Sequence, residues 1–285
     1  ALKLIRKAIE EIDMRTHTGE HPRMGCVDVC PFIPIRNITM RDCVAMAQRV
    51  ARQVAEQNVP VFLYGFASTS DMRKSLSALR KGEYEGLEDR FSNSTNIHTD
   101  DTRMPDLGSK EWNEESQKSG GITIGARDIL LAYNVNIDDP DPYVAQQIGS
   151  IVRSSGRLMK SPNGSQKFRT GGLLLGVQGM GVPLESHGIS QVSMNLQDYK
   201  TINLHHAFDT IDSLCKNMNS ATKGSELVGL VPLDAMLEAG RWYGGDGLTE
   251  SEYIDVAVEK LGLNSISNFN PKERIIEWAI MERES

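Results

Sequence analysis

The chain has 285 residues, 39% of them hydrophobic and 24% charged, with a net charge of −7. This is the balance of a soluble globular protein, and the acidic excess excludes a broad nucleic-acid-binding surface. No apolar run approaches the ~18 residues of a membrane helix, so neither nucleic acid nor membrane is an expected partner.

The length predicts two subdomains. Cys26, Cys30, Cys43 and Cys215 form no C-x-x-C pair and no disulfide framework, which fits a reduced cytoplasmic setting. Residues 1–13 are amphipathic and not signal-like. There is no initiator Met, so the natural N-terminus is expected to lie upstream.

Apolar positions 5, 8, 9 and 12 predict a helix over residues 1–12, followed by a strand within 26–35 interrupted by prolines. Thr39 to Asp42 has capping-box form and opens a helix to about Asn58. A buried strand over 60–65 comes next, then a helix from Ser68 to Arg80 and a shorter one over 83–91. Residues 92–121 are polar and too long for an ordinary connection, the pattern of a functional loop. Strands return at 122–124 and 129–137, placing a subdomain border near Gly125, with halves at 1–125 and 126–285. The second half predicts a helix over 143–154, a loop to Thr170, and strands at 173–182 and 190–196. A helix over 204–218, a strand over 226–231 and a helix over 233–239 follow. Thr249 to Glu252 caps a further helix, and Asn270-Pro271 opens the last. Strands and helices mix without strict alternation, which predicts α+β halves with helices on one sheet face.

The densest chemistry is His17-Thr-Gly-Glu20-His21-Pro-Arg23-Met-Gly25. Pro22 biases His21 to extended backbone, and Gly19 and Gly25 permit turns, so the imidazole sits on a stiffened bend suited to acid/base work. His17, Glu20 and Arg23 are candidate supporting residues. Two other readings stand beside this one. His17-x-x-Glu20-His21 matches an inverted zinc-hydrolase pattern, although that chemistry needs a continuous helix which Gly19 and Pro22 oppose. Alternatively, the histidines and Arg23 simply tie down a turn. Further along, Gln191, Ser193 and Asn195 share one strand face, a polar stripe suited to a cleft. Adjacent His205 and His206 point in different directions on a helix and suit surface or capping roles.

The histidine string, continuing through Asp28-Val-Cys-Pro-Phe-Ile-Pro34, resembles the formiminotransferase domain of the formiminotransferase-cyclodeaminase family. So do Val59 to Gly65, Arg80-Lys-Gly-Glu-Tyr-Glu85, Pro105-Asp-Leu-Gly108, Gly125-Ala-Arg127, Gln191-Val-Ser-Met-Asn-Leu196, Glu226 to Pro232 and Pro271 to Glu277, in family order over essentially the whole chain. The resemblance implies two ferredoxin-like α/β-layer subdomains with the ligand cleft between them, the first incomplete because the family's opening strand, helix and next strand have no counterpart. It implies transfer of a formimino group from N-formimino-L-glutamate to N5 of tetrahydrofolate as co-substrate, without a metal, in a cytoplasmic homodimer. A cyclodeaminase domain is possible in the full-length protein. The catalytic histidine falls on His21 and the folate loop on the segment from Gly108 to Gly120. Ser109, Lys110, Trp112, Lys118, Arg127, Gln191 and Asn195 join the candidate substrate and folate contacts. Trp112 suits either pterin stacking or shielding of the loop base. A non-catalytic folate-binding remnant is the alternative to an active enzyme.

Overall fold

Two compact units, residues 1–128 and 129–285, divide the strands among the described residues: a three-stranded parallel sheet in the first, and a four-stranded antiparallel sheet with a separate two-stranded hairpin in the second. The computed structural model describes residues 1–18, 23–92, 102–164 and 166–284.

In the first unit, β3 (Ile122–Ala126) runs between β1 (Val29–Phe32) and β2 (Val61–Gly65), parallel to both. Among the described residues, β1 has no strand on its other side. Strand alternation divides β2 between two cores. Val61 and Leu63 join Ile122 and Ile124 under α1 (Leu2–Glu11) and α2 (Met40–Ala55). Phe62 and Tyr64 point the other way, into a cluster with Met24, Leu79 and Leu87 from α3 (Leu76–Leu79), α4 (Leu87–Ser92) and the preceding loop. Helices therefore cover both faces here, not one as the strand pattern suggested. A parallel sheet buried on both sides requires this.

Thr39 caps α2 with the full capping box expected of it. The predicted helix over 68–80 is broken, because Ser75 caps α3 and a 3-10 turn at Met72–Lys74 turns Arg73 inward. Arg73 there meets Asp106 at 2.6 Å, with side chains only 5% and 9% exposed. The same carboxylate accepts from the Leu63 N–H at 2.7 Å and the Thr69 hydroxyl at 2.8 Å, anchoring the entry to the long loop on β2. Asp106→Ala takes the carboxylate from a buried guanidinium and is expected to lower unfolding free energy by about 3–5 kcal/mol. Urea denaturation measures this, and a loss below about 1 kcal/mol would show that the loop entry is anchored elsewhere.

The second unit follows the order β4 (Leu131–Ile137), α6 (Tyr143–Val152), β7 (Val177–Leu184), β8 (Ile189–Leu196), α7 (Leu204–Asn217) and β9 (Thr222–Val228). The antiparallel sheet is ordered β7-β8-β4-β9, which is the βαββαβ arrangement of a ferredoxin-like layer. Leu131, Tyr133, Val135 and Ile137 of β4 and Val192, Met194 and Leu196 of β8 pack in one core with Ala145, Ile148 and Val152 of α6 and Leu204, Ala207 and Ile211 of α7. The approach is close: a side chain on Gly149 of α6 would stand 2.7 Å from the backbone of Met180. A short hairpin, β5 (Leu158–Lys160) and β6 (Lys167–Arg169), interrupts the crossover, and α8 (Leu233–Gly244), α9 (Glu250–Lys260), α10 (Pro271–Arg274) and α11 (Ile276–Glu284) complete the unit.

On α7, His205 is 4% exposed and stacks on Trp242 with ring centroids 5.1 Å apart. Burial, and to a lesser degree neighbouring His206, pushes its pKa from 6.5 down to about 4. The unfolded chain then binds this proton first as pH falls, so His205 costs stability across the window from about pH 6.5 to 4. His205→Gln is expected to flatten that part of the Tm–pH profile; an unchanged slope would remove His205 from the acid response.

Candidate functional site

His21 and Glu20 lie outside the described residues, as do Gly19 and Pro22; the residues on either side of them are described. On the N-terminal side, the Met14 N–H donates to the Lys118 carbonyl at 2.9 Å. On the C-terminal side, Gly25 forms an antiparallel bridge with Gly120, flanked by Gly121 N–H to Met24 carbonyl and Cys26 N–H to Ser119 carbonyl bonds, both 2.9 Å. Glycine is required at the bridge. A Cβ on Gly25 would lie 2.5 Å from the Gly121 oxygen, and Gly120 has φ +67 with Gly25 Cα only 2.6 Å from where its Cβ would be. Both flanks of the histidine segment are thus fastened to the end of the 108–120 loop.

A second set of contacts closes the histidine segment on itself. Arg23 donates from both terminal nitrogens to the Glu85 carboxylate, at 2.9 and 2.7 Å, with Glu83 at 3.7 Å. The same guanidinium reaches His17, with Nη2 to its carbonyl at 3.2 Å and Nε to its Nδ1 at 3.4 Å. His17 and Arg23, which straddle His21 in sequence, are therefore held by one planar, bidentate group. The Arg23 side chain is only 12% exposed, and its hydrogen bonds hold the Glu85 carboxyl below its usual range. Beneath this, Asp28 adopts a left-handed conformation, φ +59. Its carboxylate accepts the Met24 N–H at 2.8 Å and the Arg80 guanidinium at 2.5 Å.

The loop itself is folded. Gly108, at φ +79, packs against the Val59 carbonyl. The buried Ser109 hydroxyl donates to the Glu111 carbonyl at 3.0 Å and accepts from the Asn113 amide at 3.3 Å. Asn113 then caps α5 (Glu114–Ser119), a helix missed in the polar sequence. Lys110 is exposed. Two further candidates have partners inside the first unit. Trp112 stacks on Phe91 at 5.9 Å and tilts against Tyr84 at 5.6 Å, so its rings complete the core beside Met24. Lys118 donates to the Glu10 carbonyl at 3.0 Å and so secures the end of α1. Arg127, half-buried, donates to the Asp128 carbonyl at 2.9 Å.

In the second unit, the sheet face turned away from the helices carries a polar stripe along β8, as its period implied. Gln191 lies opposite Asn136, and Ser193 opposite Asn134. The Gln191 amide donates to Asn136 at 2.8 Å and to the Glu226 carboxylate at 3.2 Å, and Asn134 donates to that carboxylate at 3.4 Å. Asn195 is half-buried on the same face, opposite Ala132. The sequence gives no sign of a site role for Glu226, which stands alone before an apolar stretch, or of the pairings of Arg80, Glu85 and Asp28, which span 52 and 62 residues.

Residues 1–127 match the model for the formiminotransferase domain, N-terminal subdomain, and residues 132–281 the model for the formiminotransferase domain. The chain belongs to the formiminotransferase family. It is 38% identical over 99% of its length to a formimidoyltransferase-cyclodeaminase of Dictyostelium discoideum, covering 50% of that protein. Identity to the formimidoyltransferase-cyclodeaminase of Rattus norvegicus is 39% over 98% of the chain and 49% of the relative. A glutamate formimidoyltransferase of Streptococcus pyogenes serotype M1 is 35% identical over 85% of the chain and 73% of its own length. The chain thus spans about half the length of the first two relatives. The family places the histidine segment and the 108–120 loop within its N-terminal subdomain, where the hydrogen bonds above join them. Among the described residues, no helix is long and apolar enough to cross a membrane, and the four cysteines are free.

Proposed function

We propose that the chain transfers the formimino group of N-formimino-L-glutamate to N5 of tetrahydrofolate, releasing L-glutamate, with His21 carrying the proton. The observation that supports this most is the fastening of both flanks of the His21 segment to the segment that ends at Gly120. Two stretches marked separately for proton transfer and for folate binding are neighbours. The names of the relatives agree with this chemistry.

In this reading, N5 attacks the amidine carbon, forming the new C–N bond and an ammonium. His21 takes the ammonium proton and then gives it to the glutamate nitrogen as the old C–N bond breaks. An imidazole titrating near neutrality serves as base and then acid in sequence. Orientation of amine against amidine contributes several kcal/mol more. The ordered backbone at Gly108, Ser109 and Gly120 and the exposed Lys110 frame the folate, with Arg127 a further cation for its carboxylates. The amides of Gln191 and Asn195 supply contacts to the polar substrate groups. His17 and Arg23 hold the bend, with Glu20 a further supporting residue. The reading includes a homodimer in the cytoplasm, and a cyclodeaminase partner domain such as the longer relatives' names describe.

The test is turnover. The purified chain, given N-formimino-L-glutamate and tetrahydrofolate, is expected to release glutamate and form 5-formiminotetrahydrofolate in equal amounts, read by mass spectrometry. Folate binding without either product would leave a binding protein and overturn the catalytic reading.

A further inference from the structure

From Arg153 to Leu184 the chain carries five cations, Arg153, Arg157, Lys160, Lys167 and Arg169, and no acidic residue, in a protein of net charge −7. The centre of this stretch is the β5–β6 hairpin, whose strand residues are all exposed. Alternation puts Lys160, Lys167 and Arg169 on one face, with Leu158 at its end, and Met159 and Phe168 on the other. The register sets Lys160 directly across from Lys167, and Met159 across from Phe168. Like charges in that relation destabilise a ladder until something neutralises them. Met159 and Phe168, 42% and 50% exposed, are an apolar pair left in water. Among the described residues no third strand joins either edge of the hairpin. Its root is nevertheless fixed: Arg157 donates to Ser150 at 2.8 Å and also to Gln147, and the Thr170 N–H donates to the Arg157 carbonyl at 3.0 Å. The hairpin is a pre-organised edge with one largely basic and one apolar face.

We propose that this hairpin docks an extended segment of a partner protein in which acidic and apolar residues alternate, added as a third strand. The backbone of the segment pairs with the open edge. Its carboxylates stand beside the cations on the basic face, and its apolar side chains stand beside the Met159–Phe168 pair on the other. Alternation is essential, because only a two-residue period delivers acid to one face and hydrocarbon to the other. A charge-only ligand would leave the apolar face in water. None of the hairpin residues is assigned to the transfer chemistry.

Fluorescence anisotropy of labelled seven-residue peptides titrated with the whole chain tests this. One peptide alternates glutamate and valine; a second has the same composition with the glutamates and valines in blocks. The alternating peptide is expected to bind at least about tenfold more tightly than its blocked isomer. Lys160→Glu with Lys167→Glu should weaken that binding by about tenfold or more, and Phe168→Ser by several-fold. Both variants change exposed side chains and should retain the parent's Tm. Equal affinity for the two isomers would show non-specific charge attraction and overturn the proposal. So would binding to neither, which would make the lysines simple guards of an open edge, or binding only to vesicles of anionic phospholipid.

Discussion

Replacing His21 by alanine is expected to lower formimino transfer by about 10²–10⁴-fold, the usual contribution of one positioned acid/base group. Folate affinity should stay within several-fold, because the contacts assigned to folate lie on the 108–120 loop and Arg127 and not on the imidazole. The separation matters: His21 is asked to move a proton, not to hold a ligand. A loss of binding equal to the loss of rate would place His21 among the ligand contacts. Near-normal turnover would remove it from the mechanism.

The second large effect is expected at Arg23. Its guanidinium ties the His17 carbonyl to the Glu85 carboxylate and so draws together two residues that straddle His21. Lysine keeps the charge but cannot make the two-pronged contact with Glu85 and the bond to His17 at once. Arg23→Lys is therefore expected to lower kcat by about 10²-fold, the order of loss that follows from misplacing a reacting group by about 1 Å. The KM for tetrahydrofolate should change little. Glu85→Gln, which keeps hydrogen-bond acceptance but loses the charge, should fall between Arg23→Lys and the parent. A change in KM without a change in kcat would make Arg23 a ligand contact and not a positioning residue.

Much of this architecture was legible from local chemistry. Thr39 and Thr249 announced their helices because capping boxes are written within four residues. The polar face of β8 was legible because Gln191, Ser193 and Asn195 obey the strand period. Elements decided by distant partners were not. Ser75 and the inward turn of Arg73 toward Asp106 broke a helix that its own pattern favoured. The last helix divides at Ile275, which bridges to Val231 in a strand-like pairing. The β5–β6 hairpin lies where a loop was expected, since strands exposed on every residue show no buried alternation. At the site, the His21 motif and the loop each stood out alone. Their junction at Gly25 and Gly120 did not, because a bridge between two glycines 95 residues apart leaves no side-chain pattern.

That junction carries the central claim, that the histidine segment and the 108–120 loop form one folate-facing site. The chain holds six histidines, so selective carbon-13 labelling of the imidazoles gives a resolvable spectrum, with His21 assigned by comparison with His21→Ala. On titration with 5-formyltetrahydrofolate, a stable analogue of the product, the His21 resonance is expected to shift in step with folate binding while those of His205 and His206 stay in place. Saturable folate binding with an unmoved His21 resonance would contradict the account.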